Sequence, residues 1–312
     1  MASNPLNMSR FTLATLCIED KPVAAIGVDD NFYLLSDSLP SFKYTTVKDI
    51  LGSWPDTLPI LEEFAQNIRT DQNVSCGSLI NLDNAQLLTP IMYPNKLVAV
   101  GANYTGHLKE MGLTAEKWAS MPFFIRPPTT SLVGPGKTVR IPRSTKQFDW
   151  ECELAVVVGK KLRHASREEA AEGIAGYSIG LDLSCRDLIP AGNELQVDLM
   201  RGKAQDTMAP CGPFIVPAKF LPDTADLRIR LSVNDKPMMD ASTSEMLYKC
   251  DEQLSIISSY MTLEPGDIVF TGSPSGSAHV HGDCWLKPGD HILAEIEGIG
   301  RLDVTMIPDD ES

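Results

Sequence analysis

Three carboxylates fall within five residues in the stretch Phe148-Asp149-Trp150-Glu151-Cys152-Glu153-Leu154-Ala155-Val156-Val157-Val158-Gly159. Its second half is a run of apolar, mostly β-branched residues closed by glycine, which predicts a buried strand. Residues two apart on a strand point to one face, so Glu151 and Glu153 stand side by side at its mouth. Like charges that close repel unless a cation lies between them or one holds a proton. A hard divalent ion such as Mg²⁺ or Mn²⁺ is the simplest resolution, because it prefers carboxylate oxygens. An isolated Glu-x-Glu is more often a solvated strand end, and the pair alone does not decide.

Other residues carry chemistry at a distance. His107 and Glu110 lie three apart in a short predicted helix, His107 to Gly112, and share a face there. A carboxylate that orients an imidazole is the usual support for a general base, although the pair alone reads equally well as an exposed ion pair. Asp182, Arg186 and Asp187 sit at the exit of a strand beginning near Tyr177. They suit either a structural salt bridge or a metal ligand beside a carboxylate clamp. Lys203 lies in a turn-rich loop, and most such lysines are surface residues. The loop Thr271-Gly272-Ser273-Pro274-Ser275-Gly276 is tight enough to bring backbone amides near a ligand. His279-x-His281 lacks nearby cysteine partners and reads poorly as a zinc site.

The elements that must position these residues follow from pattern. Phe11 to Leu35 reads as strands with a hairpin turn at Asp29-Asp30-Asn31. Val47–Leu51 and Leu58–Ile68 are apolar at helical spacing, and the polar segment Arg69 to Asn84 reads as a linker. This places a small N-terminal α+β domain at 1–90 and a larger domain at 91–312. Lys96–Gly101 is a short buried strand, Arg167–Gly173 a charged helix, and Leu227–Val233 a strand leading into an Asn234-Asp235 turn. Ser244 is expected to cap a helix running from Glu245 to about Met261. Two similar segments, Leu263-Glu264-Pro265-Gly266-Asp267 and Leu286-Lys287-Pro288-Gly289-Asp290, each feed a strand through a Pro-Gly turn.

Composition sets the outer limits. The chain has 312 residues, 27 basic and 41 acidic, for a net charge of −14. That balance argues against non-specific nucleic-acid binding or docking to anionic membranes, though a local cluster of cations can still bind an anionic substrate. The first ten residues lack the apolar core of a secretory signal, and no apolar run approaches the roughly 20 residues of a membrane span. Seven scattered cysteines suit reduced thiols and a cytoplasmic setting. No dinucleotide fingerprint, Walker loop or nucleophile elbow is found.

In this order the segments resemble the fumarylacetoacetate hydrolase superfamily, from about Leu97 to the end. The resemblance rests on Gly101-Ala102-Asn103-Tyr104-Thr105-Gly106-His107-Leu108-Lys109-Glu110-Met111-Gly112, on Asp149-Trp150-Glu151-Cys152-Glu153-Leu154-Ala155 and on Asp182-Leu183-Ser184-Cys185-Arg186-Asp187. It continues through Gly202-Lys203 with Asp206-Thr207, Ser242-Thr243-Ser244-Glu245-Met246, and Leu263 to Asp267 running into Thr271-Gly272. It implies an α+β fold, mainly β, with a mixed β-roll catalytic domain. It further implies Mg²⁺ or Mn²⁺ on Glu151, Glu153 and Asp182, a His107–Glu110 acid–base dyad on a lid segment, and Lys203 at the substrate oxygens. Arg186 and Thr271 match substrate-binding positions, and members are commonly homodimers or higher oligomers. Ile189 departs from the pattern, since many members place a substrate-binding glutamine there.

The implied chemistry acts on a 2-oxo acid. A Lewis-acidic ion makes an enolate a tolerable leaving group, so water activated by His107 can cleave the C–C bond of an acylpyruvate- or fumarylpyruvate-type 2,4-dioxo acid. Lys203 would stabilise the oxyanion. Decarboxylation, isomerisation or hydration of related oxo acids shares the enolate and stays open, as does a non-catalytic binding module that kept the fold.

Overall fold

A computed structural model describes residues 9–39, 41–70 and 79–309. Its backbone is an 11-stranded sheet. In spatial order ten strands run Leu79–Asn81, Asn31–Leu34, Lys21–Val28, Thr12–Ile18, Ala209–Pro217, Ile174–Leu181, Cys152–Val158, Ile268–Phe270, Leu97–Val100 and Phe123–Arg126. Leu132–Val133 adds to the side of Ala209–Pro217. A second sheet of five strands runs Lys236–Ser242, Arg228–Val233, His291–Ile296, Gly300–Pro308 and Lys137–Ile141. Pairing is mixed: Leu97–Val100 is parallel to Ile268–Phe270, and Lys137–Ile141 to Gly300–Pro308, among antiparallel neighbours. This is the mainly-β, α+β architecture expected from the sequence.

Cys152–Val158 lies in the middle of the large sheet and every residue in it is buried. Burial on both faces explains why it reads as a continuous apolar run rather than an alternating one. The Asn234-Asp235 turn closes the Arg228–Val233/Lys236–Ser242 hairpin, with φ of 51° and 63°. Both central residues are left-handed, as a two-residue hairpin loop requires.

The N-terminal strands are not a separate sheet. Thr12–Ile18 pairs with Ala209–Pro217 through Leu13 and Ile215, so the ladder crosses the boundary near residue 90. Phe11, Leu13 and Ile26 belong to the same apolar core as Ile215 and Val156. Helices Val47–Gly52 and Trp54–Thr70 cover this half. Of the expected linker, 71–78 lie outside the described residues, whereas Leu79–Asn81 forms the edge strand beside Asn31–Leu34.

Helix Arg167–Glu172 begins with a capping box in which the Ser166 hydroxyl accepts from Glu169 N–H and the Glu169 carboxylate accepts from Ser166 N–H. Replacing Ser166 by alanine is expected to lower stability by about 1 kcal/mol, read as a lower midpoint in urea. The helix expected from Glu245 starts later. The Ser242 hydroxyl accepts from Ser244 N–H and closes a short 3₁₀ turn at Thr243–Glu245. Tyr248 N–H is bound by Asn103 Oδ1, which holds the chain extended until the helix Cys250–Tyr260. Among the described residues no helix is long and apolar enough to cross a membrane, and six cysteines are free thiols.

Candidate active site

The ladder between Cys152–Val158 and Ile174–Leu181 builds the centre of the site. Cys152 pairs with Leu181, and one step further Asp182 N–H donates to the Glu151 carbonyl at 3.0 Å. Residues opposite one another on paired strands share a face, so Asp182 is brought beside Glu151 and Glu153. One carboxylate oxygen from each of the three lies within 4.8 Å of the others, and all three side chains are buried.

These acids are surrounded by three cations. Lys203 Nζ donates to Glu151 Oε2 at 2.8 Å and to Asp182 Oδ2 at 2.5 Å. Arg126, fully buried, ion-pairs with Asp182 and donates to the Met208 carbonyl at 2.7 Å. Arg186 donates from Nε to Asp149 Oδ2 at 2.7 Å and from Nη2 to Glu151 Oε1 at 2.5 Å. Its side chain is 21% exposed against 7% for Lys203 and 0% for Arg126, so Arg186 is the cation best placed to meet a solute.

The dyad completes the arrangement. Helix Thr105–Glu110 carries both members, and His107 Nδ1 is 3.0 Å from Glu110 Oε2. Nδ1 therefore donates to the carboxylate, which turns Nε2 toward the acid cluster, 3.9 Å from Glu151 Oε1. Backbone amides hold the acids from the other side. Gly272 N–H donates to Glu153 Oε2 at 2.5 Å and Gly276 N–H to Glu110 Oε1 at 2.5 Å.

The structure thus gathers His107, Glu110, Glu151, Glu153, Asp182, Arg186 and Lys203. Lys203 and Arg186, and Thr271 with them, also have partners within the protein. Lys203, expected at a substrate oxyanion, is engaged with Glu151 and Asp182. Arg186, expected on a substrate carboxylate, is bound to two protein carboxylates. Thr271, expected to face substrate, is fully buried and its hydroxyl donates to the Leu154 carbonyl at 2.9 Å. His279 and His281 go separate ways, to Asp283 and to the Met238 carbonyl.

Two residues take roles in the site that the sequence does not assign to them. Asp149 accepts from Trp150 N–H, Ala278 N–H and Arg186, and so positions the arginine. Arg126 sits in Phe123-Phe124-Ile125-Arg126-Pro127. A cation inside an otherwise apolar run was the available signal, because such a charge persists in a core only when paired.

Whether the acids suit a divalent cation can be tested on their own chemistry. Glu153 Oε1 is buried with no hydrogen-bond partner among the described residues, an arrangement that is costly unless something binds it. Burial, reinforced by Glu151, pushes the Glu153 carboxyl up to about 8. Glu151 goes the other way, to about 2: burial opposes its charge but Lys203, then Arg186, outweigh it. The two titrate as a unit, one ionised and one holding a proton. A hard cation resolves the orphaned oxygen and the stranded proton together, so the all-oxygen set fits Mg²⁺ or Mn²⁺.

A sign follows for metal uptake. With a folded value near 8 and an ordinary value of 4.5, Glu153 keeps its proton in the metal-free protein across that window. Its protonation stabilises the metal-free fold below pH 4.5, and that contribution is lost as pH rises through about 8. Mn²⁺ binding at about pH 6.5 is expected to release about one proton, and close to none above about pH 9. Calorimetric titration in buffers of different ionisation enthalpy measures this; no release at the lower pH would contradict it.

The family model for the fumarylacetoacetate hydrolase C-terminal domain matches residues 96–307. The chain belongs to this family. Among curated fumarylacetoacetate hydrolase relatives, the mitochondrial oxaloacetate tautomerase FAHD2A of Homo sapiens is 35% identical over 260 residues, 81% of each chain. The solved maleylpyruvate hydrolase from Sphingobium sp. SYK-6 superposes with a TM-score of 0.74 at 25% identity, over 95% of this chain and 99% of its own. Fumarylpyruvate hydrolase from Pseudomonas aeruginosa, solved with Mn²⁺ and pyruvate, gives 0.63 at 29% identity over 72% of this chain and 92% of its own. Hydrolases and a tautomerase are thus among the proteins that this chain is similar to.

Proposed function

We propose that this chain is a divalent-metal-dependent enzyme of 2-oxo acids that hydrolyses the C–C bond of a 2,4-dioxo acid of the acylpyruvate or fumarylpyruvate type. The observation that carries the reading is the buried Glu151–Glu153–Asp182 set with the free nitrogen of a carboxylate-backed histidine beside it. Those three residues would hold Mg²⁺ or Mn²⁺, which when bound polarises the keto oxygen as a Lewis acid. The likeness to a maleylpyruvate hydrolase, and to a fumarylpyruvate hydrolase solved with Mn²⁺ and pyruvate, supports the choice.

The chain's own residues supply the rest. His107 takes a proton from water at Nε2 while Glu110 fixes the ring and steadies the resulting imidazolium. The water oxygen adds to C4, the C3–C4 bond breaks, and its electron pair passes to C3. Returning the proton from His107 to C3 gives a 2-oxo acid and a carboxylic acid. Arg186, the most exposed of the three cations, meets the substrate carboxylate by exchanging one protein carboxylate for it. Lys203 holds Glu151 and Asp182 in place through its two hydrogen bonds.

A second reading is tautomerisation of oxaloacetate, favoured by the 35% identity with a tautomerase across most of both chains. There His107 would move a proton between C3 and the enol oxygen without adding water. Assays of 2,4-dioxo acids against oxaloacetate, each with EDTA and with added Mn²⁺, separate the two. EDTA is expected to abolish turnover and Mn²⁺ to restore it. Full activity in EDTA would defeat both readings, and activity on oxaloacetate alone would replace the first by the second. The functional unit is proposed to be a homodimer or higher oligomer.

A further inference from the structure

One turn binds three acids of the site. Between Thr271 and Ala278 the backbone donates to Glu153 from Gly272, to Glu110 from Gly276 and to Asp149 from Ala278, at 2.5, 2.5 and 2.9 Å. These acids serve different ends: Glu153 is a candidate ion ligand, Glu110 orients His107, and Asp149 holds Arg186. The Gly276 carbonyl also accepts from Trp150 Nε1 at 2.9 Å, which ties the turn to the start of the carboxylate strand.

The turn depends on two residues that have no side chain. Gly272 has φ of +93°, and a Cβ there would stand 2.7 Å from Asn103 Cβ. Gly276 has φ of +120°, and a Cβ there would stand 2.6 Å from the Met238 carbonyl oxygen. Both positions combine left-handed backbone with close approach, and only glycine meets both demands. Each of these amides is fixed by the backbone of the turn, so the acid it binds is held in one orientation.

We propose that Gly272 and Gly276 are positioning residues. In this reading the Thr271–Ala278 turn sets one ion-binding acid, Glu153, and the proton-handling dyad in one register through its amides. The catalytic half of the statement rests on the proposed function; the geometric half does not.

The test has two arms. In the first, Gly272→Ala is expected to weaken Mn²⁺ affinity, and Gly276→Ala to lower kcat by about 10- to 100-fold with Mn²⁺ affinity unchanged, a loss of the size seen when supporting groups are removed. On a Glu110→Ala background, Gly276→Ala should lower kcat no further, since both act through one bond. Gly289→Ala is the control, with φ of +93° and nothing within 4 Å of an added Cβ. An equal loss in that control, or a full further loss in the double variant, would reduce the effect to backbone strain and overturn the proposal.

The second arm needs neither folded glycine variants nor a substrate. In protein labelled with ¹⁵N-glycine, the Gly276 amide proton should move upfield in Glu110→Ala and the Gly272 proton in Glu153→Ala. Either resonance staying in place sinks the proposal. Failure of every tested substrate, with both resonances moving as expected, would count against the reaction class and leave the positioning role intact.

Discussion

Glu153→Gln is expected to abolish the rise in melting temperature that Mn²⁺ gives the native chain, while the metal-free protein melts at the same temperature or higher. The two effects separate because glutamine keeps the shape of the side chain but cannot ionise. The native carboxyl is fully buried, and its value near 8 means that charging it is unfavourable until a cation arrives. Removing the charge therefore costs the empty fold nothing and removes a third of the ligand set. Losing an outer-shell partner alone weakens a metal site by about 10- to 100-fold, so losing a ligand should exceed about 100-fold. Thermal shift against Mn²⁺ concentration measures it. An undiminished shift in the variant would place the ion elsewhere.

His107→Ala is the complementary experiment. Turnover should fall by about 10²- to 10⁴-fold, the usual contribution of a positioned general base, with Mn²⁺ affinity retained. The distinction rests on 3.9 Å between His107 Nε2 and Glu151 Oε1, with Nδ1 already committed to Glu110. If the variant loses the ion as well as turnover, His107 is a ligand rather than a base. Glu110→Gln should fall between native and His107→Ala, because the ring remains but its orienting charge is gone.

Much of the scaffold was legible in the sequence because it is written in local pattern. The apolar run Leu154 to Val158, the left-handed pair Asn234-Asp235 and the Pro-Gly turns at 265–266 and 288–289 each follow from residues next to one another. Glu151 and Glu153 were placed together by strand period alone. What was hidden depends on contacts across long stretches of chain. Arg126 and Asp182 are 56 positions apart in number yet share an ion pair inside the core. The late start of the helix at Cys250 is set by Asn103, 145 positions away from Tyr248. No window on the sequence contains both partners. The side-chain commitments of Lys203, Arg186 and Thr271 are likewise properties of the assembled site, since each residue type could serve a ligand or a neighbour equally well.

The ladder pairing of Leu13 with Ile215 has a practical consequence. A fragment begun at residue 91 would bare the backbone edge of Ala209–Pro217 around Ile215, deep in what is now the interior of the sheet. Open edges of that kind recruit strands from other molecules. The first third of the chain thus behaves as a built-in stopper against strand exchange, and its removal should show as aggregation before any loss of chemistry.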